Sequence, residues 1–110
     1  MKSDALRGHL DALILAVLER EPLHGYAIME ALQSSSGGAL ELPTGSLYPA
    51  LRRLERAGHL RSEWSTVAGR KRRTYELTTA GKRALTAERA EWRDFAAAVE
   101  GVLRPGPKRA

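Results

Sequence analysis

The chain has no cysteine and few aromatic residues: one phenylalanine, two tryptophans and three tyrosines among 110 residues. Without cysteine there can be no disulfide, no thiolate nucleophile and no cysteine-ligated zinc. The three histidines, His9, His24 and His59, lie far apart and match no metal-ligand spacing, so they read as turn, boundary or packing residues. Scarce aromatics also argue against a base-stacking platform for single strands. Trp64, Tyr75 and Tyr26 are accordingly expected to pack in the core or against a hairpin. No apolar run approaches the roughly 20 residues that span a bilayer. The first residues, with Asp4, Arg7, His9 and Asp11 among the apolar positions, lack a signal-peptide core, and a cytosolic protein is expected. Catalytic arrangements are missing as well: the serines fall in caps and a flexible run, no histidine has an evident orienting partner, and no glycine-rich phosphate loop is present. No cofactor is expected.

Acidic residues are outnumbered, thirteen against eighteen Lys and Arg, for a formal charge of +5. Such an excess favours a polyanionic partner. With 43% apolar residues, the chain has enough for one domain with a modest core.

Apolar periodicity sets out the elements. Leu6, Leu10, Leu13, Ile14, Leu15, Val17 and Leu18 predict a helix over about residues 3–20, apolar around most of its circumference and ended by Pro22. A second helix is expected over residues 26–34, stopped by Ser34, Ser35, Ser36, Gly37 and Gly38. In the third, Leu47, Leu51, Leu54 and Gly58 form one stripe, Pro49, Arg52 and Arg56 lie opposite, and Tyr48 and Arg53 flank them. Proline lacks an N–H, so the regular helix is placed at residues 46–57 with Thr44 or Ser46 as its cap. Residues 60–67 and 73–78 alternate as paired strands around a loop of Ala68, Gly69, Arg70, Lys71 and Arg72. A last helix is expected from Thr78 or Thr79 to Leu103, with Leu85, Trp92 and Val99 at heptad spacing and Phe95 and Val102 between them, a seam that Glu88 interrupts. Arg104, Pro105, Gly106, Pro107, Lys108, Arg109 and Ala110 form a basic tail expected to be disordered.

This order, three helices, a hairpin and a long helix, is that of a winged helix-turn-helix with an association helix: mainly α with a small β-hairpin. Arg70, Lys71, Arg72 and Arg73 repel one another at the expected wing, a repulsion that phosphates would relieve with release of counterions. Arg52 and Arg53 can reach guanine edges or phosphates, and Arg56 can pair with Glu55. Thr44, Ser46 and Tyr48 bring hydroxyls to the positive end of the helix. Leu85, Trp92, Phe95, Val99 and Val102 are the expected dimer contacts; Trp92 anchors association or, alternatively, lines a pocket for an aromatic small molecule.

Four segments carry a resemblance: Gly8-His9-Leu10-Asp11-Ala12-Leu13-Ile14-Leu15, Pro22-Leu23-His24-Gly25-Tyr26-Ala27-Ile28, Gly45-Ser46-Leu47-Tyr48-Pro49-Ala50-Leu51-Arg52-Arg53-Leu54 and Tyr75-Glu76-Leu77-Thr78-Thr79-Ala80-Gly81. In order and spacing they resemble the PadR family of bacterial transcriptional regulators. That resemblance implies a homodimeric winged-helix repressor that binds an inverted-repeat operator in double-stranded DNA and is released by a small molecule. It also implies DNA contacts by Tyr48, the hydroxyls before it, and the wing cations, and it looks like the short-tailed branch, some members of which bind aromatic drugs near a tryptophan. The expected division is a DNA-binding domain over 1–78, a dimerisation helix over 79–103 and the tail over 104–110. A protein-interaction module that binds an acidic partner is the alternative, and an RNA-binding role a third, disfavoured by the shortage of exposed aromatics.

Overall fold

In the computed structural model, residues 8–107 are described. They form α1 (Leu10–Val17), β1 (Leu23–His24), α2 (Gly25–Ser35), α3 (Thr44–Arg56), β2 (Leu60–Val67), β3 (Arg70–Leu77) and α4 (Thr79–Leu103). The strands make one antiparallel sheet in the order β1-β3-β2. The core lies between the helices and the base of this sheet, where Ile14, Leu15, Leu18, Ile28, Leu32, Leu47, Ala50, Leu51, Leu54, Leu60, Tyr75, Leu77 and Leu85 are buried. Leu47 and Leu51 are fully enclosed, so truncating either to alanine should cost about 2–5 kcal/mol.

The first helix is shorter than its periodicity suggested. Gly8 has φ +90°, His9 sits at the N-cap without a side-chain bond, and this helix starts at Leu10. The expected start at Ser3 lies outside the described residues.

β1 has no counterpart in the sequence pattern. Two residues carry no period, and Leu23 and His24 become a strand only because they pair with Tyr75 and Thr74 of β3. His24 then caps α2 by accepting the Ala27 N–H at Nδ1 (3.4 Å), a boundary role its sequence context suggested.

Two boundaries of the predicted DNA-facing elements need correction. α3 begins at Thr44, its N-cap is Pro43 with no side-chain bond, and Pro49 is inside the helix. Neither Thr44 nor Ser46 caps it. Pro49 is exposed, so the Gly45 carbonyl it leaves without an N–H lies on the wet face, where water can serve it. The wing differs too: β3 starts at Arg70, opposite Val67, so residues 70–73 are strand residues and the loop is only Ala68 and Gly69. Both have positive φ, +53° and +77°, which is the backbone of the type I′ turn that matches strand twist.

The end of α3 and the start of α4 are joined. Gly58 (φ +80°) closes α3 in a Schellman arrangement, with His59 N–H on the Leu54 carbonyl (3.0 Å) and Gly58 N–H on that of Glu55 (3.0 Å). Thr78 donates from Oγ1 to the Gly58 carbonyl (2.6 Å) and from its N–H to that of His59 (3.1 Å), while its Oγ1 accepts the Gly81 N–H (3.0 Å) as the cap of α4. A β-carbon on Gly81 would stand 2.1 Å from the His59 carbonyl oxygen, so only glycine lets the two backbones approach this closely.

Candidate nucleic-acid interface

The face of α3 opposite its leucines is exposed and carries Tyr48, Pro49, Arg52 and Arg56. No acidic residue lies in its first turn to offset the positive helix end. Beside it opens a groove of about 520 Å³, walled by the start of α2 (Gly25, Tyr26), by Tyr48 and Arg52 of α3, and by Trp64 and residues 70–73 of the wing. Five cations line it, and none of its described lining residues is acidic.

Two close contacts fix the walls. The Tyr48 ring lies over Gly25, where an added β-carbon would be 2.6 Å from the hydroxyl. On the other side Arg73 is held at several points: Nε donates to Ser62 Oγ (2.8 Å), Nη2 lies 3.4 Å from Glu55, and the guanidinium sits 5.5 Å from the Trp64 ring centroid and 6.0 Å from that of Tyr75. Ser62 Oγ also donates to Glu55 (2.8 Å). Glu55 thus serves the wing rather than its expected partner Arg56. Burial pushes the Tyr75 phenol above the usual tyrosine value, against the opposing pull of Arg73.

The sequence-predicted residues therefore divide. Tyr48, Arg52, Arg70, Lys71, Arg72 and Arg73 meet in one groove. Arg72 Nη1 lies 3.2 Å from His24 Nε2, bringing the strand to the cap of α2. Thr44 and Ser46 stand at the N-terminal end of α3, outside the lining. Arg53 turns to α1 and pairs with Asp11, which holds its guanidinium above the usual value. Of the three aromatics expected in the core or against the hairpin, Tyr75 is buried, Trp64 lies across the hairpin from Arg73 but is 65% exposed, and Tyr26 is 62% exposed; all three line the groove.

On α4, Leu85 belongs to the core of its own domain. Beyond it Trp92, Phe95, Val99, Val102 and Leu103 remain exposed, and Trp92 stands edge-on to His9 (5.3 Å) and beside Phe95 (6.0 Å). Arg89 forks onto both oxygens of Glu19 (2.9 and 2.8 Å), tying α4 to the end of α1. Among the described residues no cluster of His, Asp or Glu could hold a metal, and no helix is long and apolar enough to cross a membrane.

With this geometry in place, comparison with known proteins is decisive: residues 14–87 match the model of the transcriptional regulator PadR-like family. The chain belongs to that family. This PadR-like chain is similar to Transcriptional regulator Rv3488 of Mycobacterium tuberculosis, 44% identical over 69 residues that make up 63% of this chain and 64% of the relative. Among solved structures, a PadR family transcriptional regulator from Eggerthella lenta is 34% identical with a TM-score of 0.79, covering 94% of this chain and 88% of that one. A transcriptional regulator from Clostridium thermocellum shares the fold more closely, with a TM-score of 0.85 over 92% of this chain and 99% of that one, at 24% identity. The PadR-like chain is a winged-helix, DNA-binding transcriptional regulator, with α2 and α3 as the helix-turn-helix and the β2–β3 hairpin as the wing.

Proposed function

We propose that this PadR-like regulator acts as a homodimer that reads an inverted-repeat operator in double-stranded DNA and represses transcription until a small molecule releases it. In this proposal residues 1–78 are the DNA-binding unit, 79–103 the dimerisation helix and 104–110 a basic tail. The observation that carries the DNA assignment is the groove in which Tyr48 and Arg52 of α3 meet the cations of β3 with no carboxylate among the described lining residues. Arg52 and Tyr48 supply register and base discrimination, and Arg70, Lys71 and Arg72 supply phosphate contacts. The exposed stripe of Trp92, Phe95, Val99 and Val102 supports association through α4, since apolar side chains of this size gain by leaving water. Two-fold pairing would set two α3 helices about one helical turn, or a multiple, apart.

Selection of duplexes from a random pool by the purified protein tests the proposal. An enriched inverted repeat bound by a dimer is the expected result. Failure to enrich any sequence, with a monomer in sedimentation, would favour the acidic-partner module instead. Release by an effector is tested separately, by screening aromatic compounds for loss of operator binding.

A further inference from the structure

Trp64 is the feature of the wing that phosphate binding by cations leaves unused. It is 65% exposed, it lies on the same sheet face as the buried Tyr75, and it lines the groove with Tyr48 and Arg52. Its cross-strand partner is Arg73, whose guanidinium stands 5.5 Å from the ring centroid. Arg73 is itself pinned by Ser62 and Glu55, so the indole has a positioned cation on one side. A large apolar ring exposed among cations is poorly suited to water and well suited to a surface that alternates apolar and anionic groups.

We propose that Trp64 is a DNA-contact residue whose indole packs on deoxyribose rings of the duplex backbone, while Arg72 and Lys71, next in register toward the turn, take the neighbouring phosphates. The role rests on the DNA-binding function proposed above and adds to it an apolar, sequence-independent contact. Sugar rings are the apolar groups that alternate with phosphates along a duplex, which matches an indole set beside cations on the wing. Charge complementarity selects the occupant: five cations and no described carboxylate in the lining.

A salt titration separates this contact from its neighbours. Neutralising a phosphate contact lowers both affinity and the slope of log affinity against log salt, whereas removing an apolar contact lowers affinity alone. Trp64→Ala should weaken binding to duplexes of unrelated sequence by roughly tenfold with the slope unchanged, as expected for loss of a buried aromatic anchor. Trp64→Phe should restore most of it, and thermal melting should show both variants folded. In the complex, the Trp64 part of the emission, taken as the difference between wild type and Trp64→Phe, should become protected from acrylamide. Wild-type protein that binds no duplex would overturn both this inference and the function it rests on. Wild-type binding with Trp64 as open to acrylamide as before, or Trp64→Ala binding like wild type, would overturn the inference alone. A fall in salt slope equal to that of Arg72→Ala would show that the loss runs through a displaced cation, and would overturn it too. Equal protection by an acidic peptide would overturn the deoxyribose assignment.

Discussion

The Tyr48 hydroxyl stands 2.6 Å from where a β-carbon on Gly25 would be, so the position of the α3 tyrosine is set by the bare backbone at the start of α2. The ring itself is 45% exposed and can swing aside. Gly25→Ala should therefore leave the melting temperature nearly unchanged, since alanine in a helix is favoured over glycine by up to about 1 kcal/mol, offsetting the contact. Binding to a selected operator should fall several-fold as Tyr48 is displaced, and titration of that operator with both proteins checks it. Full operator affinity in the variant would mean that Tyr48 has no positioned role.

Gly81→Ala should behave in the opposite way. Its new β-carbon meets a backbone oxygen that cannot rotate away, and overpacking of this kind costs typically about 1–3 kcal/mol and occasionally more. Urea unfolding should show a lower midpoint at unchanged slope. A variant as stable as wild type would require the α3–α4 joint to be looser than it is here.

The four basic residues of the wing should not be equivalent. Arg72→Ala should lower the salt slope of duplex binding by about one, the signature of a lost phosphate contact. Arg73→Ala should barely change that slope and should lower stability by up to about 1 kcal/mol, as expected for a half-exposed ion pair with one good hydrogen bond. Parallel salt titrations and melts decide it; identical slope changes would place both side chains on phosphates.

Much of this was legible in advance, for reasons that the exceptions clarify. Leu47, Leu51 and Leu54 repeat at helical spacing, so the buried and exposed faces of α3 follow from the sequence alone. The heptad residues of α4 similarly announce its exposed apolar stripe, although Leu85 is drawn into its own domain because α4 starts by crossing that core. Alternation assigned Trp64 to a face of β2 but could not tell how far along the strand the core reaches, and the core stops short of it. The helix position of Arg53 points to DNA, yet its partner Asp11 comes from a different helix, with no local signal in sequence. Ala68 at positive φ hid the tightness of the turn, since alanine, unlike asparagine, does not advertise that conformation.

The Glu19–Arg89 pair gives a pH dependence of known sign. The hydrogen bond from Arg89 holds the Glu19 carboxyl below the usual range, so its contribution is complete above the ordinary glutamate value and disappears as pH falls through the lowered one. Glu19→Gln should therefore be slightly less stable than wild type at neutral pH and indistinguishable in acid, with the gap also closing at high salt. Melting curves across pH check this. A gap that persisted at the acid end would point to packing rather than charge.

With association through α4 as proposed, replacing both Trp92 and Phe95 with glutamate should give monomers in sedimentation where the wild type gives a dimer, and should reduce operator affinity far more than affinity for a single half-site. Retention of the dimer would move the association surface off this stripe.

The joint of Gly58, His59, Thr78 and Gly81 also bears on how a distant signal could reach DNA. Because Gly58 and His59, which close α3, are bonded directly to Thr78, the cap of α4, the 25-residue helix acts as a lever whose short arm is the recognition helix. In a dimer joined along the long arms, the crossing angle of the two α4 helices and the separation of the two α3 helices become one variable rather than two. A ligand, or a substitution, that altered that angle by a few degrees would change operator fit without touching a single DNA contact.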